Sequence, residues 1–383
     1  MYQVFRPYMT EDEEKAVVDV LRSRWIGLGP KTKEFEDKFI EYVNCGNADK
    51  PHSKYCVALN SCTAALDMAL RLCNIKQHDK VLVPTMTFVS TAHAVCYNNA
   101  TPIFVDCDET LQMDIHDLEK KLDKFVKAII VVHYGGRINR HIKTIANICR
   151  ERDIFLIEDC AHAAGAWLET NHAGTFGDIG CFSFHAVKNL AMGDGGAIIT
   201  SNEQFATRAK KMRWLGIDKG TWDRTANNKE YWWEYDVNEI GYKNHPCDIL
   251  MAIGIEQLKK LDNMNNKRHL LYTLYKEELK DLEEQRLIEF SPEDTVESLS
   301  SWHIMCIKVS PLDRNDLSIF LKEKGVNTGV HYSPIHLYPC YGNTPSLPMA
   351  EEMFLNILSL PMYYELEAED IKIICGHIKE FYA

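Results

Sequence analysis

Between residues 54 and 200, short apolar runs alternate with longer stretches whose apolar positions recur every three or four residues. KYCVAL, KVLVP, TPIFVD, KAIIVVH, IFLIED, GCFSF and GGAIIT are short runs rich in apolar and β-branched residues, and they predict seven strands. ALDMALRLC, TAHAVCYN, IHDLEKKLD and IKTIANICRERD predict the helices between them. Strands apolar on both faces and separated by helices indicate an α/β domain with a mostly parallel sheet. Residues 200–262 read differently: first aromatic, with Trp214, Trp222, Trp232 and Trp233, then helical in DILMAIGIEQLKKLD. A charged helix around 263–285 follows, then WHIMCIKV, LSIFLKEKGV and IKIICGHIKEFY, which predict a smaller α+β unit. The expected division is a large domain over 1–262 and a small C-terminal domain over 263–383, with the N-terminal segment packing on the small one.

Composition narrows the class. The 383 residues are 46% hydrophobic, far from the composition of a disordered chain. Forty-three basic against 55 acidic residues give a net charge of −12, which offers no electrostatic footprint for nucleic acid or an anionic membrane. No run approaches the ~20 apolar residues that span a bilayer, and MYQVFRPYMTEDEE lacks the basic-then-apolar pattern of a secretory signal. The expectation is a soluble, cytoplasmic protein that binds neither nucleic acid nor membrane. The 13 cysteines are odd in number, contain no C-x-x-C pair and have no zinc-ligand spacing. They read as reduced thiols acting as small hydrophobes, with no metal site.

Ligands of open parallel sheets collect at the carboxyl ends of the strands, so the polar residues that follow each predicted strand are the candidates. Asn60-Ser61-Cys62-Thr63 precedes an alanine-rich helix. Such a helix start offers free N–H groups to a phosphate, although ligand-free N-capping accounts for it equally well. Phe88 follows KVLVP, and Asp159 ends IFLIED with His162 one turn on. A carboxylate so placed either caps a helix or meets a positive partner. GCFSFHAVKNLAMGDGG delivers Ser183, His185 and Lys188 ahead of a turn with Gly193, Gly195 and Gly196. A lysine in so apolar a stretch loses affinity for its proton, which favours the nucleophilic amine that forms Schiff bases. A phosphate cradle, an aromatic plate, a buried carboxylate and a buried lysine together suit a phosphorylated aromatic aldehyde with a basic ring nitrogen. Pyridoxal 5′-phosphate is such a molecule.

From WIGLGPKTKEFE through ALNSCTAALDMAL, VPTMTFVSTAHAV, PIFVDCD, VVHYGG, LIEDCAHAAGA and the Lys188 segment to GYKNHPCDILMAIGIEQL and HYSPIHLYPCY, the chain resembles the DegT/DnrJ/StrS sugar aminotransferases. These are fold-type I pyridoxal phosphate enzymes, so the resemblance implies an aspartate-aminotransferase-like α/β fold with a seven-stranded, mostly parallel sheet. It also implies roles. Lys188 would bind the cofactor as a Schiff base and shuttle the proton, and Asp159 would pair with the pyridinium nitrogen. His162 would contact the ring hydroxyl and Phe88 stack on the ring, while Cys62, Thr63 and Ser183 would hold the phosphate.

Family members work as dimers with shared sites, and GYKNHPCD resembles the loop that enters the neighbouring site. Lys243 stands there in place of a commoner asparagine, His245-Pro246 in place of Arg-Met, and Ala186 where proline is frequent. The implied reaction is a ping-pong transamination with L-glutamate (or glutamine) as donor. Its acceptor would be a nucleoside-diphosphate-linked ketosugar, typically a 4-keto-6-deoxyhexose. His331, His336 and the four tryptophans are candidates to line a sugar–nucleotide cleft, or are simple packing and surface residues. A 3-ketosugar or ketocyclitol acceptor is the alternative, since relatives of that kind carry a GDGG turn. Dehydratase relatives replace the lysine by histidine, which Lys188 argues against. A non-catalytic binding or regulatory protein on the same fold would have lost the lysine or the aspartate, and this chain keeps both.

Overall fold

The computed structural model describes residues 1–47, 53–218 and 235–383. All seven apolar runs form strands: β1 (Tyr55–Leu59), β2 (Lys80–Pro84), β3 (Thr101–Val105), β4 (Val126–Val132), β5 (Phe155–Asp159), β8 (Ile179–Ser183) and β9 (Gly196–Thr200). Between β5 and β8 lie β6 (Trp167–Leu168) and β7 (Asn171–His172), a two-residue pair. The main sheet has the order β1-β9-β8-β5-β4-β2-β3, and β9 alone runs against the others. Val57 and Leu59 enter the core beneath the helix Cys62–Leu72, while Cys56 and Ala58 face Phe35, Phe39 and Met251 on the other side. This alternation is the two-residue repeat of a strand with both faces covered.

The antiparallel insertion of β9 shapes the site. Its first residue, Gly196, pairs with Leu59 on one side and Ser183 on the other. A Cβ on Gly196 would lie 2.3 Å from the Ser61 carbonyl carbon and 2.6 Å from the Cys62 nitrogen, so only glycine lets β9 start this close to the turn after β1.

Asp248–Glu278 is one continuous helix of 31 residues. Residue 262, where the domain division was expected, lies inside it. Met251, Ile255, Leu258 and Leu261 pack under the main sheet, whereas Leu271, Tyr272 and Tyr275 pack in a second core built from residues 271–378. That core includes the antiparallel sheet of β10 (Ile288–Phe290), β12 (Met305–Val309) and β13 (Ile357–Leu360); β11 (Ser298–Leu299) pairs instead with β6. The N-terminal segment lies along this second unit: Tyr2 exchanges backbone bonds with Gly325 and Asn327, and Val4 accepts from Met362. Asp248 also stabilises the helix Pro30–Asn44, whose Gly29 cap has no side chain to offer. Its carboxylate accepts from the N–H groups of Gly29, Lys31 and Thr32 and from the Thr32 hydroxyl, placing negative charge at a helix N-terminus.

Candidate active site

The strand ends converge on a cavity of about 440 Å³, lined by Ser61, Cys62, Thr63, Phe88, Asp159, His162, Ser183 and Lys188 among others. Asp159 is the last residue of β5, paired in register with Cys181 of β8. The Thr91 hydroxyl donates to its Oδ2 at 2.9 Å and the Ala161 N–H to its Oδ1 at 3.1 Å. Burial raises its pKa, opposed by those two hydrogen bonds and by the charge of Lys188.

Lys188 sits in the loop from β8 to β9. That loop is closed by bonds from Phe184 N to Gly195 O, from Ala186 N to Gly193 O and from Met192 N to Phe184 O. Gly193 takes a φ of +96°, a conformation that favours glycine. The lysine is half-buried, crowded by protein while its side chain lines the cavity. Burial brings its ammonium down to about 8, although Asp159 pulls the other way. A lysine so tuned supplies free amine near neutral pH.

The two imidazole nitrogens of His162 can be told apart. Nδ1 accepts the Gly135 N–H at 3.3 Å, so the proton is on Nε2, which faces the Tyr332 hydroxyl at 2.9 Å. Burial and then the charge of Lys188 hold His162 well below the usual imidazole range. Tyr332 accepts that bond and keeps its own O–H for the cavity, its pKa raised by burial. Phe88 is 58% exposed and sits at the cavity with its ring centroid 6.1 Å from that of Tyr332. Ser61 caps the helix Cys62–Leu72 through Ala64 N at 3.1 Å, and the Thr63 hydroxyl donates to Ser90 at 2.8 Å. With Ser183 alongside, hydroxyls and a helix N-terminus meet at one end of the cavity, a donor set suited to a phosphate.

The structure therefore brings Lys188, Asp159, His162, Phe88, Cys62, Thr63, Ser183 and His331 to one cavity. His331 bonds Ser359 Oγ at 2.9 Å and is pushed down to about 4 by burial and Lys188. His336, expected in the same cleft, is elsewhere. It is buried, with Nδ1 at 2.7 Å from Thr85 Oγ1 and Nε2 at 3.2 Å from Glu351, because the turn Ile335–Leu337 carries it away from the cavity. Lys243 lies over the Trp214 ring at 4.9 Å and does not line this chain's cavity, and Trp214 packs on Lys243 and His245. Trp222, Trp232 and Trp233 lie outside the described residues. Tyr332, Thr91, Phe5 and His303 also line the cavity; no local pattern marks them.

A second polar cluster, His133, Glu158 and Cys160, has the residue types of a metal site. The Glu158 carboxylate is saturated, however. Phe176 N and Gly177 N donate to Oε1, and Gly174 N and His133 Nε2 donate to Oε2, all within 2.7–2.8 Å. His133 Nδ1 accepts from Asn139 N, so both partners are spent on protein groups.

A family model described as the DegT/DnrJ/EryC1/StrS aminotransferase family matches residues 7–379. The chain belongs to this family. It is a sugar aminotransferase that uses pyridoxal 5′-phosphate. Among similar proteins, GDP-perosamine synthase of Escherichia coli is 32% identical, covering 99% of this chain and 98% of that one. The dTDP-4-dehydro-2,3,6-trideoxy-D-glucose 4-aminotransferase of Saccharopolyspora spinosa is 30% identical over 99% and 96%. Spr1654 of Streptococcus pneumoniae, in its PMP-form, superimposes with a TM-score of 0.90 at 28% identity over 100% of this chain and 99% of that one. The fold is accordingly that of the fold-type I aminotransferases. Among the described residues no helix is long and apolar enough to cross a membrane.

Proposed function

We infer that this aminotransferase moves the amino group of L-glutamate to the keto carbon of a nucleoside-diphosphate-linked 4-keto-6-deoxyhexose, in two half-reactions at the one cavity. The observation that carries the reading is the placement in one cavity of Asp159, at the end of β5, and Lys188, in the loop that follows the neighbouring strand β8, with the phosphate-type donor set at the cavity's end. The nucleotide-linked acceptor is supported by the names of the two curated relatives, and the 4-keto position by that of the Saccharopolyspora spinosa enzyme.

Pyridoxal phosphate supplies an aldehyde that takes up the amino group and a ring that withdraws electrons. The chain's own residues do the rest. Asp159 presents a carboxylate that holds a proton on a ring nitrogen, and Phe88 offers a face for stacking. Tyr332, held in place by the His162 Nε2–H, offers its O–H to a ring hydroxyl. Ser61, Cys62, Thr63 and Ser183 bind the phosphate. Lys188 first anchors the group and then, as a free amine near its pKa, takes and returns the proton at the substrate carbon. The reading places the enzyme in the cytoplasm as a homodimer, with the segment bearing Lys243 reaching into the second copy's cavity.

A spectrum of the protein with pyridoxal phosphate tests this. A near-visible band absent from Lys188→Ala, lost on adding glutamate and restored by a nucleotide-linked 4-ketosugar, is the expected result. Restoration only by a 3-ketosugar or a ketocyclitol would move the acceptor assignment, and a band indifferent to glutamate would remove the donor. A wild-type chain with no band would favour a non-catalytic role.

A further inference from the structure

Asn189 follows Lys188 in the chain and is 4% exposed, yet every hydrogen-bonding atom of its side chain is used. Its Nδ2 donates to Asn265 Oδ1 at 2.7 Å and to the Ser301 carbonyl at 2.5 Å. A carbonyl can only accept, so the amide cannot be turned round, and Asn189 Oδ1 must face His303 Nδ1 at 2.9 Å. Asn265 is oriented in the same way, because its own Nδ2 donates to the Ala164 carbonyl at 3.0 Å.

Two consequences follow. His303 must carry its proton on Nδ1, leaving Nε2 unprotonated, and among the described residues Nε2 has no partner. The ring cannot swing away, since it is stacked on Phe5 at 4.9 Å and 6° and lies 4.6 Å from the ring of His162. It also lines the cavity. Secondly, the backbone beside Lys188 is pinned to the helix Asp248–Glu278 and to Ser301, whose hydroxyl donates to the His162 carbonyl at 2.7 Å. One buried amide thus ties together three segments that surround the lysine.

We propose that Asn189 is a positioning residue for both Lys188 and His303. Its amide fixes the turn from which the lysine reaches, and it locks His303 in the tautomer whose Nε2 accepts a hydrogen bond from an O–H or N–H donor of the amino acceptor. The first half rests on the assignment of Lys188 as the Schiff-base residue. A long flexible side chain reaches a reacting carbon only from a fixed base, so loosening that base slows capture of the aldehyde without removing the amine.

The tests use the cofactor-free protein first. With imidazole nitrogens labelled, wild type should show a His303 signal protonated at Nδ1, and Asn189→Ala should lose that signature. On adding pyridoxal phosphate, the near-visible band should form at least 30-fold more slowly in Asn189→Ala. In the Lys188→Ala background, adding Asn189→Ala should leave cofactor affinity within twofold, because the positioned group is gone. His303→Phe keeps the stacked ring and provides a second variant should Asn189→Ala not fold. Its band should form within threefold of the wild-type rate, while the KM for the amino acceptor rises at least tenfold. Band formation within threefold of wild type in Asn189→Ala, or an unchanged acceptor KM in His303→Phe, would overturn the proposal. Absence of a Lys188-dependent band in the wild-type protein would instead remove the lysine assignment on which its first half stands.

Discussion

Glu158 and Asp159 are consecutive residues at the end of one strand, both buried and both carboxylates, and they are built to opposite ends. Glu158 follows Leu156 onto one face of the sheet and meets four donors, three of them backbone N–H groups of the 174–177 loop. Asp159 follows Ile157 onto the other face and meets one hydroxyl, one N–H, the weak Cys62 thiol donor at 3.9 Å and a cavity. A carboxylate has about four acceptor sites. Filling them all makes Glu158 a structural tie between β5 and the 174–177 loop. Leaving some open makes Asp159 a group with charge to offer a ligand. A buried acid is structural or functional according to how much of its hydrogen-bonding capacity the protein leaves unspent.

Substituting each acid in turn should separate the two roles. Asp159→Asn should cut turnover about 10²–10³-fold, the usual loss when one aligned electrostatic partner of a transition state is removed. The same change should leave cofactor-free stability at neutral pH equal or higher. Burial raises the Asp159 pKa above its unfolded value, so the ionised group lowers stability as pH rises from the ordinary carboxylate range through the folded value. Comparison of kcat with a denaturant midpoint checks both statements. Glu158→Gln should do the reverse, losing about 3 kcal/mol of stability because an amide NH₂ would face backbone donors. Turnover of the surviving folded enzyme should stay within tenfold.

A subtler effect tests the reach of the Asp159 charge. Amine labelling of Lys188 in the cofactor-free protein should titrate with a midpoint of about 8, against 10.5 for an ordinary lysine. In Asp159→Asn the midpoint should fall further, since the carboxylate is what holds it up; an upward move would mean that the two groups are not coupled as drawn. The smallest effect belongs to His336→Ala. Outside the cavity, it should cost about 1–2 kcal/mol through its lost bonds to Thr85 and Glu351. Turnover and acceptor KM should stay within threefold.

The seven strands were legible in the sequence because each is buried on both faces and reads as an unbroken apolar run. Asp159 and Lys188 stand out for a related reason: one is a charged group ending such a run, the other a charged group in the apolar stretch that follows one. His331 and His336 show where this reading stops. Five residues apart in one segment, they look alike along the chain, yet a short 3₁₀ turn sends one to the cavity and the other behind Thr85. Thr91 meets Asp159 across 68 residues and Tyr332 meets His162 across 170. No window of sequence contains either pair. The division expected at 262 falls within one helix. The helical periodicity of 248–262 and that of 263–285 read as separate elements, but one helix runs from Asp248 to Glu278 and its apolar face turns from one core to the other between Leu261 and Leu271.

The sequence by itself determined the strands, the helices between them and the chemistry available at the strand ends, because burial period and residue type are local properties. Tertiary structure decided which of those groups act together. It set β9 antiparallel so that Gly196 brings Ser183 against the turn after β1, and it brought Phe5 and His303 from distant segments to the cavity wall. It also settled the proton positions of His162 and His303, since a tautomer is fixed by the donors and acceptors around a ring, and here those come from residues far away in the chain.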